Sequence, residues 1–389
     1  MREVVIIGAG KIGRGYMGQI FYENGYSITF VDILPALIEE INEKGTYQIH
    51  EVDTGVDDIY EIKDIQALHA RAVDAICEKI AQVTIVVTSV GAGNLTDVAA
   101  NIAAAIRYRK EKSIESSLNI LVAENLMNGA QKFTTMIQQH LDDAEVDFMQ
   151  HYVGIVGTVI GRTVPPLPTA LETHSITDVF VEPHREFYIN KYDYRGEIPN
   201  INGIHVTERY LATVSRKLYV HNCTHAVMGY LGHYYGHQFS HEAMADERVS
   251  SVVGQAMEET ALAVEKEFGF SREEMQKYIQ DLFHRYKNPH LGDTLLRIAK
   301  DPIRKLQPDD RLIGSARLIE KGGDDPQALA IGIAAALCFD VESDEKSQML
   351  QHQILQDGIE VILERIAGIA VDERLGNEVL MQYHRLRQR

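Results

Sequence analysis

A lysine, an asparagine and a histidine stand in K-x-x-x-x-N-x-x-H spacing at Lys217, Asn222 and His225, within SRKLYVHNCTHAVMGYLGHYYGH. At 100° per residue they fall at about 0°, 140° and 80° around an ideal helix, one broad face and not a tight stripe. Such a set can carry out hydride-transfer chemistry without a metal. Lys217 would take a hydroxyl proton as hydride leaves, Asn222 would hold the developing oxyanion, and His225 would orient substrate hydroxyls or the lysine. A lysine base at neutral pH must lose its proton about 3–4 kcal/mol more easily than its ordinary pKa of ~10.4 allows, and burial and a nearby positive charge both act that way. The same spacing also fits a surface lysine near a helix asparagine. Histidines four apart, His221 with His225 and His233 with His237 and His241, could stack on a helix face and bind a metal. No Asp or Glu sits beside the first pair to complete a ligand set, so the expectation is no metal.

A second set of residues speaks to a cofactor. Gly8, Gly10 and Gly13 form G-x-G-x-x-G between the β-branched run Glu3–Ile7 and an amphipathic stretch. Gly8 suits a tight turn, Gly10 a close approach of backbone to pyrophosphate, and Gly13 close packing of helix on strand. Lys11 and Ile12 lie between them, where a helix N-terminus offers N–H groups and a positive dipole end to phosphates. Asp32 follows about 20 residues later, at the end of a second strand, placed to accept hydrogen bonds from ribose hydroxyls and to repel a 2′-phosphate. Ile33, Leu34 and Pro35 supply no arginine to offset that. NAD is expected in preference to NADP.

The 38 Lys plus Arg against 56 Asp plus Glu give a net charge of -18, which argues against nucleic acid and anionic membrane surfaces as partners. An anionic substrate would therefore need a local basic cluster. Arg297, Arg304, Lys305 and Arg311 supply one within fifteen positions, although Asp301, Asp309 and Asp310 could pair with some of them. Three scattered cysteines, Cys77, Cys223 and Cys338, suit reduced thiols in a cytoplasmic chain. The longest apolar stretch, Ala328–Phe339, is too short for a membrane span, and Val4–Ile7 runs straight into a glycine turn, unlike a signal peptide.

Elements that alternate must position these groups. Glu3–Ile7, Ser27–Val31, Thr84–Thr88 and Asn119–Ala123 read as buried strands, and Arg71–Ile80 and Leu95–Tyr108 as helices between them. That is the pattern of a doubly wound α/β sheet. Val153–Val159 and Ser175–Val181 read as further strands extending it. Tyr194–Gly203, YRGEIPNING, reads as a linker or turn. Helical periodicity then takes over at Glu208–Gly232, Asp246–Phe268, Arg272–Tyr286, Ala328–Cys338 and Met349–Ala367. The expected architecture is an α/β Rossmann-type domain over 1–194 and a mostly α-helical domain over 195–389.

Several segments carry a resemblance in order along the chain: GAGKIGRGYMGQIF, ENLMNG at Glu124–Gly129, GRTVPP at Gly161–Pro166, RGEIPNI at Arg195–Ile201, KLYVHNCTHA at Lys217–Ala226 and NPHLGDTLLRIAKDPIRKLQPDDRL at Asn288–Leu312. Together they resemble the polyol-specific long-chain dehydrogenases, the mannitol dehydrogenase family. The resemblance implies an NAD-dependent, metal-free oxidoreductase with Lys217 as general acid/base, Asn222 and His225 beside it, and Asn125 as a polar contact near the nicotinamide or the reacting oxygen. It implies a polyol or sugar-phosphate substrate, with mannitol 1-phosphate and fructose 6-phosphate foremost, and a monomer or weak dimer. A non-phosphorylated polyol, a hexuronate, or a catalytically inactive NAD-binding chain are the alternatives. One departure stands out: many relatives carry Asp before the Arg of D-R-x-x-P, where this chain has Gly161 before Arg162, so a carboxylate that the resemblance ties to the lysine's proton network is missing there.

Overall fold

The β-branched runs form strands with both faces covered, as parallel sheets require. In chain order the strands are β1 (Arg2–Ile7), β2 (Tyr26–Asp32), β3 (Tyr47–Asp53), β4 (Val56–Ile62), β5 (Ile65–His69), β6 (Ile85–Thr88), β7 (Leu118–Val122), β8 (Val153–Gly161), β9 (Val179–Val181), β10 (Glu186–Asn190) and β11 (His205–Thr207). The computed structural model describes residues 2–53, 56–124, 126, 128–164 and 175–388. The chain divides into two compact units, Met1–Tyr210 and Leu211–Arg389.

In the first unit an eight-stranded sheet runs β11-β10-β8-β7-β6-β1-β2-β5. The stretch β5-β2-β1-β6-β7-β8 is parallel and has the 3-2-1-4-5-6 order of the Rossmann fold. β10 joins antiparallel, with Glu186 opposite Gly161. Two apolar layers flank the sheet. One is built on Ile102, Ile106 and Phe133, the other on Phe21, Phe30 and Phe187.

The segment Ser175–Val181 departs from expectation. It does not extend the large sheet; its strand, β9, pairs with β3 in a separate β4-β3-β9 sheet. The hairpin of β3 and β4 carries Glu51, Asp57 and Asp58 among its apolar residues, so its pattern does not read as a buried strand. The stretch 194–203 is clamped to the first unit. The Asn119 side chain donates to the Arg195 carbonyl and accepts from its N–H, and Asn24 does the same with Asn202. Ile201 is buried.

The second unit is helical, apart from an isolated bridge between Phe239 and Thr294. Glu247–Phe268 and Arg272–Tyr286 form as their periodicity predicts. Ser271 caps the latter by accepting from the Glu274 N–H, while Glu274 accepts from the Ser271 N–H, satisfying two orphan donors. Met349–Ala367 is two helices, Glu345–Asp357 and Ile359–Ala367, because Gly358 takes φ +87° and breaks the run. At the centre lies helix Cys223–Tyr234, almost wholly buried. Glycines let its neighbours press close: a Cβ on Gly332 would fall 2.6 Å from Val227, and one on Gly229 would fall 2.6 Å from Ile298. No helix among the described residues is long and apolar enough to cross a membrane.

Candidate active site

In the first unit the glycine loop follows β1 at the carboxyl edge of the sheet, where doubly wound folds bind ligands. The three glycines are required for different reasons. Gly8 has φ +102°, and a Cβ there would meet the Ser89 carbonyl at 2.5 Å. A Cβ on Gly13 would lie 1.9 Å from the Gly8 carbonyl oxygen. A Cβ on Gly10 would meet nothing within 4 Å, so the Cα side of this residue faces open space where a ligand can approach the backbone closely. Lys11 is exposed and Ile12 half-buried beside it.

The turn that follows, Gly13–Gly18, is π-helical, wider than the α-helix expected. Its remaining glycines admit the small sheet: Gly15 packs on Val181 and Gly18 on the Tyr47 hydroxyl. Buried Arg14 ties the same loop down, donating to the carbonyls of Ala9, Ile176 and Thr177. Burial pulls its guanidinium pKa down, as desolvation of a cation must.

Asp32 ends β2 and reaches back to the loop. Its Oδ2 accepts from the Ala9 N–H at 2.8 Å, and Oδ1 accepts from the N–H groups of Ile33 and Leu34. The carboxylate therefore positions the glycine turn, and an ionised carboxylate keeps acceptor capacity beyond these three bonds. Glu124 braces the neighbouring loop by accepting from the Val90 and Gly91 N–H groups at 2.8 and 2.9 Å. Burial pushes its pKa up, with those two bonds opposing. Glu124 stands in ENLMNG, yet periodicity and spacing gave no reason to single it out. Asn125 lies outside the described residues.

Gly161 is glycine because of its strand partner. A Cβ there would fall 2.8 Å from Glu186 Oε2 and 3.1 Å from Glu186 Cβ. The buried Glu186 side chain, from β10, fills the corner that a residue 161 side chain would enter, with His184 Nε2 4.0 Å away. Arg162 is fully buried and donates to Gln19 Oε1, Glu51 Oε2 and the carbonyls of Gly15 and Glu182. It knits β8 to the glycine loop and the small sheet.

In the second unit Lys217 and Asn222 are the first and last residues of another π-helical turn, Lys217–Asn222. The Cys223 N–H reaches the Leu218 carbonyl, an i→i+5 step. In such a turn residues five apart are neighbours, so the 140° separation of an ideal α-helix does not apply to Lys217 and Asn222. Asn222 is buried and Lys217 half-buried. The wide turn displaces backbone bonds, and side chains make them good: the Tyr286 hydroxyl donates to the His221 carbonyl at 2.9 Å, and Thr224 bonds the Val220 carbonyl.

Three residues beyond Asn222, the His225 ring stacks on Tyr286 at 5.1 Å, and its Nε2 lies 3.2 Å from Asp293 Oδ2. Burial holds the His225 pKa below its ordinary value, with Asp293 opposing. Burial acts to raise the Asp293 carboxyl, but His225 and Arg297 together outweigh it and hold it low. Asp293 is 68 positions from His225, and nothing in the spacing pointed to it. No group of three His, Cys, Asp or Glu among the described residues is arranged to hold a metal ion.

The four basic residues are all in the second unit, and each is engaged. Arg297 donates to Asp293 Oδ1 at 2.8 Å through Nε, with its Nη2 at 2.6 Å. Arg304 spans Asp301 and Asp310, and buried Arg311 bonds Asp310 at 2.7 Å. Lys305 is buried, donates to the Lys300 carbonyl and lies 5.9 Å above the Tyr230 ring. Burial, with Arg311 and Arg304 nearby, brings its pKa down to about 7. The partners include Asp301 and Asp310, two of the aspartates that composition set against the cluster, together with Asp293 and a carbonyl.

Residues 2–203 match the family profile for the mannitol dehydrogenase Rossmann domain, and residues 210–385 match that for the mannitol dehydrogenase C-terminal domain. Among solved structures, the chain is similar to the Pseudomonas fluorescens mannitol 2-dehydrogenase ternary complex with NAD and D-mannitol. The TM-score is 0.78 at 17% identity, over 99% of this chain and 91% of that one. It is also similar to a D-sorbitol dehydrogenase in substrate-free form, with TM-score 0.81 and 14% identity over 99% and 93% of the two chains. At these identities the structures establish the shared fold, and the two profiles together span nearly the whole sequence: the chain belongs to the mannitol dehydrogenase family.

Proposed function

We propose that this chain is an NAD-dependent polyol dehydrogenase, and that its substrate pair is mannitol 1-phosphate and fructose 6-phosphate. The observation that carries the general reading is the coexistence of the open-faced Gly10 loop with Asp32 and of the Lys217–Asn222 turn with His225. NAD, when bound, supplies the hydride acceptor. Gly8, Gly10, Lys11, Ile12 and Gly13 would hold its phosphates and Asp32 its ribose, with Asn125 as a further polar contact. Lys217 takes the proton from the substrate hydroxyl. Asn222 donates a hydrogen bond to the oxygen as charge develops on it, and His225 accepts from a substrate hydroxyl. General acid–base transfer of this kind is worth about 10²–10⁴-fold.

Arg297, Arg304 and Arg311 supply the positive charge that a sugar phosphate needs against a net charge of -18, and buried Lys305, with its pKa down to about 7, adds only part of a charge at neutral pH. A non-phosphorylated polyol is the second reading, favoured by the aspartate already bonded to each of the three arginines. An NADH-oxidation screen separates them. Fructose 6-phosphate should be reduced faster than fructose or a keto-uronate, and faster turnover of either unphosphorylated sugar rejects the phosphate assignment. Lys217→Ala should lose turnover by several orders of magnitude with NADH binding retained. Unchanged turnover would reject the catalytic reading as a whole.

A further inference from the structure

Asp293 carries two of the residues assigned above at once. Its backbone is pinned on both sides: its carbonyl accepts from the Ser240 N–H at 2.9 Å, and the Leu295 N–H donates to the Gln238 carbonyl at 2.9 Å. The turn before it is set by Gly292, at φ +52°, and by Asn288, whose side chain accepts from the His290 N–H. The side chain is 6% exposed. Oδ2 faces His225 Nε2, and Oδ1 takes Nε and Nη2 of Arg297.

A carboxylate held below its usual pKa can only accept, so the His225 nitrogen facing it must carry the proton. Burial keeps the imidazole neutral, so its other nitrogen, Nδ1, is a bare acceptor. Arg297⁺ meanwhile balances the charge of the buried carboxylate, which makes the arrangement tolerable in a low-dielectric site.

We propose that Asp293 is a positioning residue: it locks His225 as the Nε2–H tautomer and clamps Arg297 with the same carboxylate, so that proton handling and substrate recognition share one support. This rests on the reading of Lys217, Asn222 and His225 as the catalytic group. Its consequence is directional. The free nitrogen of His225 can accept a hydrogen bond from a substrate hydroxyl and cannot donate one to a carbonyl oxygen.

The test combines kinetics with the tautomer itself. In Asp293→Asn the amide can donate, which reverses the tautomer preference. We expect kcat to fall at least about 10–100-fold, the range for removing the carboxylate that orients a metal-bound imidazole, and KM for the ketose to rise several-fold. The kcat loss should vanish when the change is made on a His225→Asn background, and the KM rise should vanish on Arg297→Leu. ¹⁵N–¹H correlation of histidine-labelled native protein should show His225 protonated at Nε2, and this needs no variant. An Nδ1–H signal for His225 overturns the proposal. So does an Asp293→Asn protein with native kcat and KM and only a lower melting temperature. Lys217→Ala run in parallel keeps the two failures apart. A dead Lys217→Ala with a fully active Asp293→Asn removes only the role of Asp293, whereas an active Lys217→Ala removes the catalytic reading beneath it.

Discussion

Gly10 and Gly13 are the same residue three positions apart and do opposite jobs. A methyl on Gly13 has to displace backbone 1.9 Å away, whereas one on Gly10 enters empty space. Gly13→Ala should therefore destabilise the first unit by about 3 kcal/mol or more. Gly10→Ala should leave stability within about 0.5 kcal/mol and weaken NADH binding at least about tenfold. Urea melts and NADH fluorescence titrations measure both, and equal behaviour of the two variants would remove the distinction. Lys305 gives a second prediction at this scale. Its folded pKa is about 7, below the unfolded ordinary value of 10.5. Between those values the unfolded chain holds a proton the folded chain lacks, so this group makes stability rise with pH across that window. The full effect is at most about 5 kcal/mol. Lys305→Met should flatten the dependence between pH 7 and 10, and an unaltered slope would show the amine to be free of that penalty.

At the scale of elements, the pairing of β8 with β10 decides which carboxylate can stand at that corner of the first unit. Gly161→Asp places a second carboxylate there and drives its Cβ into Glu186. It should cost about 1–3 kcal/mol of stability. Adding Glu186→Gly to it should recover at least half of that loss, because the two side chains compete for one space. Additive losses in the thermal melts of the two singles and the double would show that the sites do not compete. The π-helical turn at Lys217–Asn222 is likewise sustained by its neighbours. Tyr286→Phe removes the donor to the His221 carbonyl and one partner of Thr224, and should cost about 1–2 kcal/mol.

For the whole molecule the net charge of -18 outweighs any single pair. Self-repulsion on that scale opposes the folded state. Raising ionic strength from 0.01 to 0.15 M shortens the screening length from about 30 to about 8 Å. The exposed pairs, such as Lys44 with Glu40 or Lys321 with Glu267, contribute little each and lose little to salt. The melting temperature should therefore rise by about 2–4 °C, corresponding to about 1 kcal/mol. A fall on adding salt would mean that ion-pair networks dominate the balance.

The sequence by itself determined what depends on near neighbours. Buried β-branched runs make Arg2–Ile7 and Leu118–Val122 central strands, and helical periodicity makes Arg272–Tyr286 a helix with bounds that agree to the residue. The glycine loop was legible because strand, turn and helix lie within a dozen positions. The tertiary structure alone decided what depends on distant partners. β9 pairs with β3 because the chain returns from more than a hundred residues away, and the polar alternation of the β3–β4 hairpin hides that sheet from any periodicity. The wide turn at Lys217 is invisible in spacing because an α-helix and a π-helix draw on the same residues, and the difference lies in which side chains catch the freed carbonyls. Asp293 and Glu186 escape notice for the same reason: a carboxylate declares its use only through the imidazole, guanidinium or glycine that folding sets against it.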